Sequence, residues 1–152
     1  FYHNLMFYFF AMPFGLSDDG ILYSATEDLE YEGKKYPGLQ IAYESGVGAS
    51  SKDEYFIHFD ADTHQMAWLG YTVTYRSGES SDNVKWIRYD DWQEVNGLAL
   101  PKSITWHNYE GRKILEPAST VNFEEVMLSG DAKPETFYEK PENGEYVPIK
   151  MN

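Results

Sequence analysis

Residues 1–14 (FYHNLMFYFFAMPF) are apolar at almost every position, broken only by His3 and Asn4. Phe1, Leu5, Phe9 and Met12 recur at spacings of three to four, which predicts one short buried helix. Tyr2, Met6, Phe7, Phe10 and Phe14 fill most of its remaining circumference, and Pro13-Phe14-Gly15 ends it in a turn. From Gly20 onward the period changes to two, with turn signals roughly every ten residues, the pattern of an antiparallel sheet. Strands are expected over 21–31, 36–44, 54–60, 65–75, 83–92, 98–109 and 118–129. Between them lie a hairpin turn at 32–35, a small-residue loop at 45–51, a turn at 60–64, a polar loop at 76–82, a turn at 94–97 with the Asn96-Gly97 signal and a loop at 110–117. Pro101 sits near a strand start, where a missing donor is tolerated. Pro134 opens a single helical turn, and the tail from Pro141 reads as extended.

Several of these strands carry bulky residues on both faces. Over 66–75, Met66, Trp68, Thr72 and Thr74 share one face, and Ala67, Leu69, Tyr71, Val73 and Tyr75 the other. An open sheet with one wet face has no need of apolar residues on both sides. The expected fold is therefore mainly β: a curved antiparallel sheet, a half-open barrel, with one or two helices against its concave face. The 152 residues suit a single domain, 1–152. The first residue is Phe rather than Met, which reads as the start of the larger C-terminal part of a longer chain.

Composition narrows the function. Nine Phe, four Trp and thirteen Tyr exclude a disordered chain. Against 25 Asp and Glu stand 12 Lys and Arg, a net charge of −13 that repels phosphate backbones and anionic headgroups. Nucleic acid is not an expected partner. The apolar start is too short to cross a bilayer and lacks the basic residues of an export signal. With no cysteine, the chain has neither a disulfide nor a thiolate.

Candidate chemistry is sparse. Asp90/Asp91 and Glu124/Glu125 are adjacent on strands, so their side chains point apart and cannot act as an acid/base pair. His58, Asp60 and His64 are the best metal-like grouping, but an Asp-capped hairpin explains 60–64 more simply. No nucleophile elbow and no phosphate loop is present. No catalytic residue, cofactor or metal is assigned. The aromatics remain: Trp86 and Trp92 share strand parity with Arg88 and Asp90 between them, a stripe able to stack a sugar ring or line an acyl-chain cleft, although core packing is the commoner use.

Residues 89–104 (YDDWQEVNGLALPKSI) resemble a hairpin of periplasmic proteins similar to the outer-membrane lipoprotein carriers of the LolA/LolB type. Residues 54–75 (EYFIHFDADTHQMAWLGYTVTY) resemble another hairpin of the same superfamily. Over most of 20–140 the chain resembles an uncharacterised group of that superfamily from Bacteroidetes-type bacteria. The resemblance implies a half-barrel that holds a lipid or acyl chain, and a periplasmic or outer-membrane-associated location. It carries over no individual ligand-contacting residue.

The leading expectation is a non-enzymatic envelope protein whose partner is a hydrophobic small molecule or acyl chain. The candidate lining is Trp68, Tyr71, Trp86, Tyr89, Trp106 and Phe123. The alternative is an envelope accessory module that binds glycan or another envelope protein through surface aromatics. In either case the apolar start belongs against the sheet. Burying one large aromatic contributes about 1.5–3 kcal/mol, against a total stability of about 5–15 kcal/mol. Deleting residues 1–14 should give an aggregating or unfolded product, and a monomeric variant with an unchanged melting temperature would show the segment to be peripheral.

Overall fold

Seven antiparallel strands, hydrogen-bonded in chain order, form one sheet in the computed structural model, which describes residues 2–16, 19–44, 52–74 and 77–146. They are β1 (Ile21–Tyr31), β2 (Lys34–Tyr43), β3 (Tyr55–Phe59), β4 (Met66–Tyr71), β5 (Lys85–Val95), β6 (Leu98–Glu110) and β7 (Lys113–Asn122). Two short helices precede them, α1 (Tyr2–Phe10) and α2 (Met12–Gly15), and a 3-10 turn (Glu135–Phe137) comes after. The expected mainly β architecture is what the chain adopts. The sheet is curved and unclosed: β1 and β7 are its two edges, yet the β6–β7 turn reaches β1, where Arg112 Nη2 donates to the Glu27 carbonyl at 2.8 Å.

Local chemistry sets the turns. Glu32-Gly33 and Asn96-Gly97 each place two residues at positive φ, the twist that two-residue hairpins require. At the β3–β4 turn, Asp60 Oδ1 accepts from the Asp62 and Thr63 amides at 3.0 and 3.1 Å, the capping role expected of it.

Several boundaries differ from the sequence reading, with β2 at 34–43 rather than 36–44 and β5 at 85–95 rather than 83–92, and three have an identifiable local cause. The last strand occupies 113–122 rather than 118–129, because Gly111, at positive φ, closes a tight turn where a loop was expected. Pro117 is accommodated on this edge strand at a register irregularity opposite His107, whose Nδ1 meets the Leu115 carbonyl at 2.8 Å. β4 stops at Tyr71 because Asp53 Oδ1 takes the amide and hydroxyl of Thr74, replacing a strand partner. Pro141 opens a turn, its carbonyl accepting from the Gly144 amide at 2.8 Å, so the tail there is not extended. The predicted loop at 45–51 lies outside the described residues.

β-bulges let one sheet serve two cores. A register shift between Thr26 and Leu29 turns β1 over, so Tyr23 lies on the helix side and Leu29 on the other. A shift between Arg88 and Asp91 does the same in β5. Trp86 and Trp92 therefore lie on opposite faces, against the shared parity read from their spacing. On the helix side Phe9 and Met12 are buried against Ile41, Ile57, Leu69, Ile87 and Ile104. Phe7 and Phe14 face outward, since a sheet can cover only one side of a helix.

The opposite face packs Leu29, Tyr36, Trp68, Trp86 and Ile114 beneath two arginines. Arg88 lies over the rings of Tyr36 and Trp68, and Arg112 over those of Phe56 and Trp86. His58 is sealed among them, with Nδ1 on the Tyr36 carbonyl at 2.9 Å and Nε2 3.5 Å from Arg112. Gly38 makes room for it, because a Cβ there would lie 2.3 Å from His58 Nδ1.

Burial holds His58 at about 4, well below its ordinary value of 6.5, and the Arg112 charge acts in the same direction. The folded state therefore refuses a proton that the unfolded chain takes up. Stability should be full above about pH 6.5 and fall as pH drops toward 4, by on the order of 2–3 kcal/mol. Urea midpoints between pH 7 and 4.5 test this, and His58→Gln should flatten the slope while lowering stability overall.

Candidate functional site

The helix-facing side of the sheet brings together four of the six expected lining residues, and each one contacts α1. Tyr89 Oη donates to the Phe9 carbonyl at 2.9 Å, at a helix end whose last carbonyls have no intrahelical donor. The rings of Tyr71 and Trp106 stand 5.0 and 5.8 Å from that of Phe9, and Trp106 Nε1 donates to Tyr71 Oη at 3.0 Å. Phe123 packs on Phe10 at 4.8 Å. Tyr8 adds a hydroxyl contact with Tyr43 at 2.9 Å. Burial raises the Tyr8, Tyr55, Tyr71 and Tyr89 phenols above their ordinary range, so all four are neutral hydrogen-bonding groups at physiological pH. These residues seat the helix.

Trp68 and Trp86 lie on the opposite face, each 0% exposed. They are walled in by Arg88, Arg112, Tyr31 and His107. Trp86 thus cannot serve as a surface anchor, and Trp92, half-buried on the helix side, has no tryptophan partner on its face from β5.

The helices leave one corner of their face uncovered. There Leu16, Tyr23, Leu39, Ile41, Ile57, Phe59 and Met66 line an apolar groove of about 160 Å³. Its floor, Ile41 and Ile57, is buried in the core. Its rim is wet: Tyr23 is 53% and Leu39 38% exposed. The Tyr23 hydroxyl donates to the Leu16 carbonyl, tying the rim to the end of α2. The groove residues escaped the sequence reading, which followed the tryptophans. The shared parity of Tyr55, Ile57 and Phe59 marks the right strand face, but β1 and β2 join it only through the register of the sheet.

A second cavity, about 430 Å³, opens where the β6–β7 turn meets β1. Glu27, Asp28, Glu30 and Glu32 line it with Arg112 and Lys113, so it offers charge rather than apolar surface. The metal-like grouping does not assemble. His58 is engaged by Tyr36, and Asp60 by Lys34 at 2.6 Å and its own turn, which holds the Asp60 carboxyl well below the usual carboxylate range. Among the described residues no three His, Cys, Asp or Glu side chains converge on a metal position. Asp90 is exposed on β5, 3.6 Å from Arg88, and Asp91 faces Lys102, so the two carboxylates do not share a site.

Fold and site together define a mainly β protein: a curved, unclosed antiparallel sheet with a helical cover on one face and an open apolar groove beside it. A model of a family of unknown function, DUF6503, matches residues 1–122, and the chain belongs to that family. The matched span runs from the first helix to the last residue of β7. No curated protein matches the chain. A solved domain from Vibrio parahaemolyticus, described as outer membrane lipoprotein-sorting, aligns at a TM-score of 0.41 and 8% identity. The alignment covers 70% of this chain and 44% of that one, so this chain spans less than half of its length.

The Tyr89–Phe9 hydrogen bond is the testable part of the helix seat. Tyr89→Phe keeps the ring and leaves a buried carbonyl without its donor, at a cost of about 1–3 kcal/mol. Chemical denaturation should show that loss. A variant as stable as the parent would mean that α1 is held by packing alone.

Proposed function

We propose that this protein is a non-enzymatic protein of the cell envelope, periplasmic or associated with the outer membrane, which binds a hydrophobic ligand such as a lipid or a lipoprotein acyl chain in the groove beside α2. The observation that carries this reading is the groove: a concave, predominantly apolar site with a buried floor and a solvent-open rim. An apolar cavity of about 150 Å³ holds a benzene-sized ligand. The groove thus accepts one ring or the end of an acyl chain, and the rest of a longer chain lies along Tyr23 and Leu39. The envelope location draws on the resemblance of 54–75 and 89–104 to the carrier hairpins.

Lipid extraction and native mass spectrometry of the purified protein should reveal a bound acyl species, and a fluorescent fatty-acid probe should bind with saturation. Leu39→Arg sets a charge at the mouth while leaving the core intact, and should weaken the probe by about tenfold or more. Met127→Arg, an equally polar change at an exposed site outside the groove, should not. A protein that carries no lipid and ignores the probe would overturn the proposal.

A further inference from the structure

We propose that the outward face of the helices, together with the rim of the groove, is a membrane-docking surface: Phe7, Phe14, Tyr23 and Leu39 rest in the headgroup boundary of a lipid bilayer that is electrically neutral. Phe7, on α1, is 67% exposed and Phe14, on α2, 47% exposed, and neither belongs to the helix-side core. Tyr23 and Leu39, on β1 and β2, are exposed at the rim of the groove, whose lining includes Leu16, two residues after Phe14.

Charge selects the occupant. Asp, Glu, Lys and Arg make up 24% of the chain, yet among residues 1–26 only Asp18 and Asp19 are charged. Residues 1–17, which include both exposed phenylalanines, carry no charged side chain on a protein of net charge −13. A protein partner is specified by hydrogen bonds and charge pairs around an apolar centre. Among the described residues this surface has little to offer of that kind: the Tyr23 hydroxyl at its rim is turned inward to the Leu16 carbonyl. Protruding phenyl rings on a short helix need no complementary shape from a bilayer, only depth. The surrounding negative field is unfavourable toward anionic lipid and indifferent to zwitterionic lipid. On the reading proposed above, a bilayer at this rim lets an acyl chain enter the groove without crossing water.

Co-sedimentation with vesicles tests the surface, and a soluble fatty-acid probe in lipid-free buffer reads the groove separately. The protein should pellet with phosphatidylcholine vesicles. Replacing part of that lipid with phosphatidylglycerol should weaken binding at low salt, and added salt should restore it. The double variant Phe7→Ser/Phe14→Ser should lose about tenfold or more per ring in partitioning. It should keep probe affinity, because neither ring lines the groove. Failure of the wild-type protein to pellet with phosphatidylcholine overturns the proposal, as does a double variant that pellets like wild type. Sedimentation equilibrium showing a dimer that the double variant dissolves also overturns it, by assigning the surface to a second copy. Loss of probe binding alone, with vesicle binding intact and dependent on the phenylalanines, would remove the acyl-groove reading and leave this one standing.

Discussion

Both faces of this sheet are apolar, and both must be covered. A single layer of strands meets that constraint only by changing which residues face which way along its length. The bulges in β1 and β5 do this: one extra residue reverses the parity of the strand beyond it, sending Tyr23 and Leu29, or Trp86 and Trp92, to opposite sides. The local increase in twist that accompanies a bulge also curves the sheet, which brings the β6–β7 turn to β1. Two cores then form from seven strands, one closed by the helices and the other by the far hairpin and two arginines.

The two covers differ in kind. The arginine side is sealed by cations stacked on aromatic rings, with His58 kept neutral beneath them. The helix side is sealed by a segment of two short helices, anchored by buried tyrosine hydroxyls that reach backbone or one another. Within the described residues, α1 and α2 leave the corner over Ile41 and Ile57 open. The exposed phenylalanines have a simple origin: an apolar segment with more hydrophobic circumference than the sheet can bury.

Much of the architecture was legible in the chain. Period-two alternation with Glu32-Gly33 and Asn96-Gly97 turns located the first hairpin and the β5–β6 hairpin, and the range 21–31 for β1 matches residue for residue. The apolar run 1–14 was recognisable as helical, although the turn expected at Pro13-Phe14-Gly15 is a second helix. Asp90 and Asp91 are separated as expected, whereas Glu124 and Glu125 lie beyond the end of β7, where strand alternation does not apply. These are local properties, fixed by side-chain period and by the backbone preferences of a few turn residues.

Tertiary structure decided the rest. Bulge positions depend on how two strands align, so the spacing of Trp86 and Trp92 gave a shared face that the β5–β6 register undoes. The same lack of partner information hid the early start of β7, where Pro117 is tolerable only because the strand is an edge. It also divided the expected lining residues between a helix seat and a sealed core. The groove draws on β1, β2, β3, β4 and the residue after α2, segments whose meeting no single stretch of sequence encodes. The sequence by itself determined strands, turns and the quantity of apolar surface. Which of that surface is buried, and which is left open to solvent, came only from long-range register, because burial is a property of partners rather than of residues.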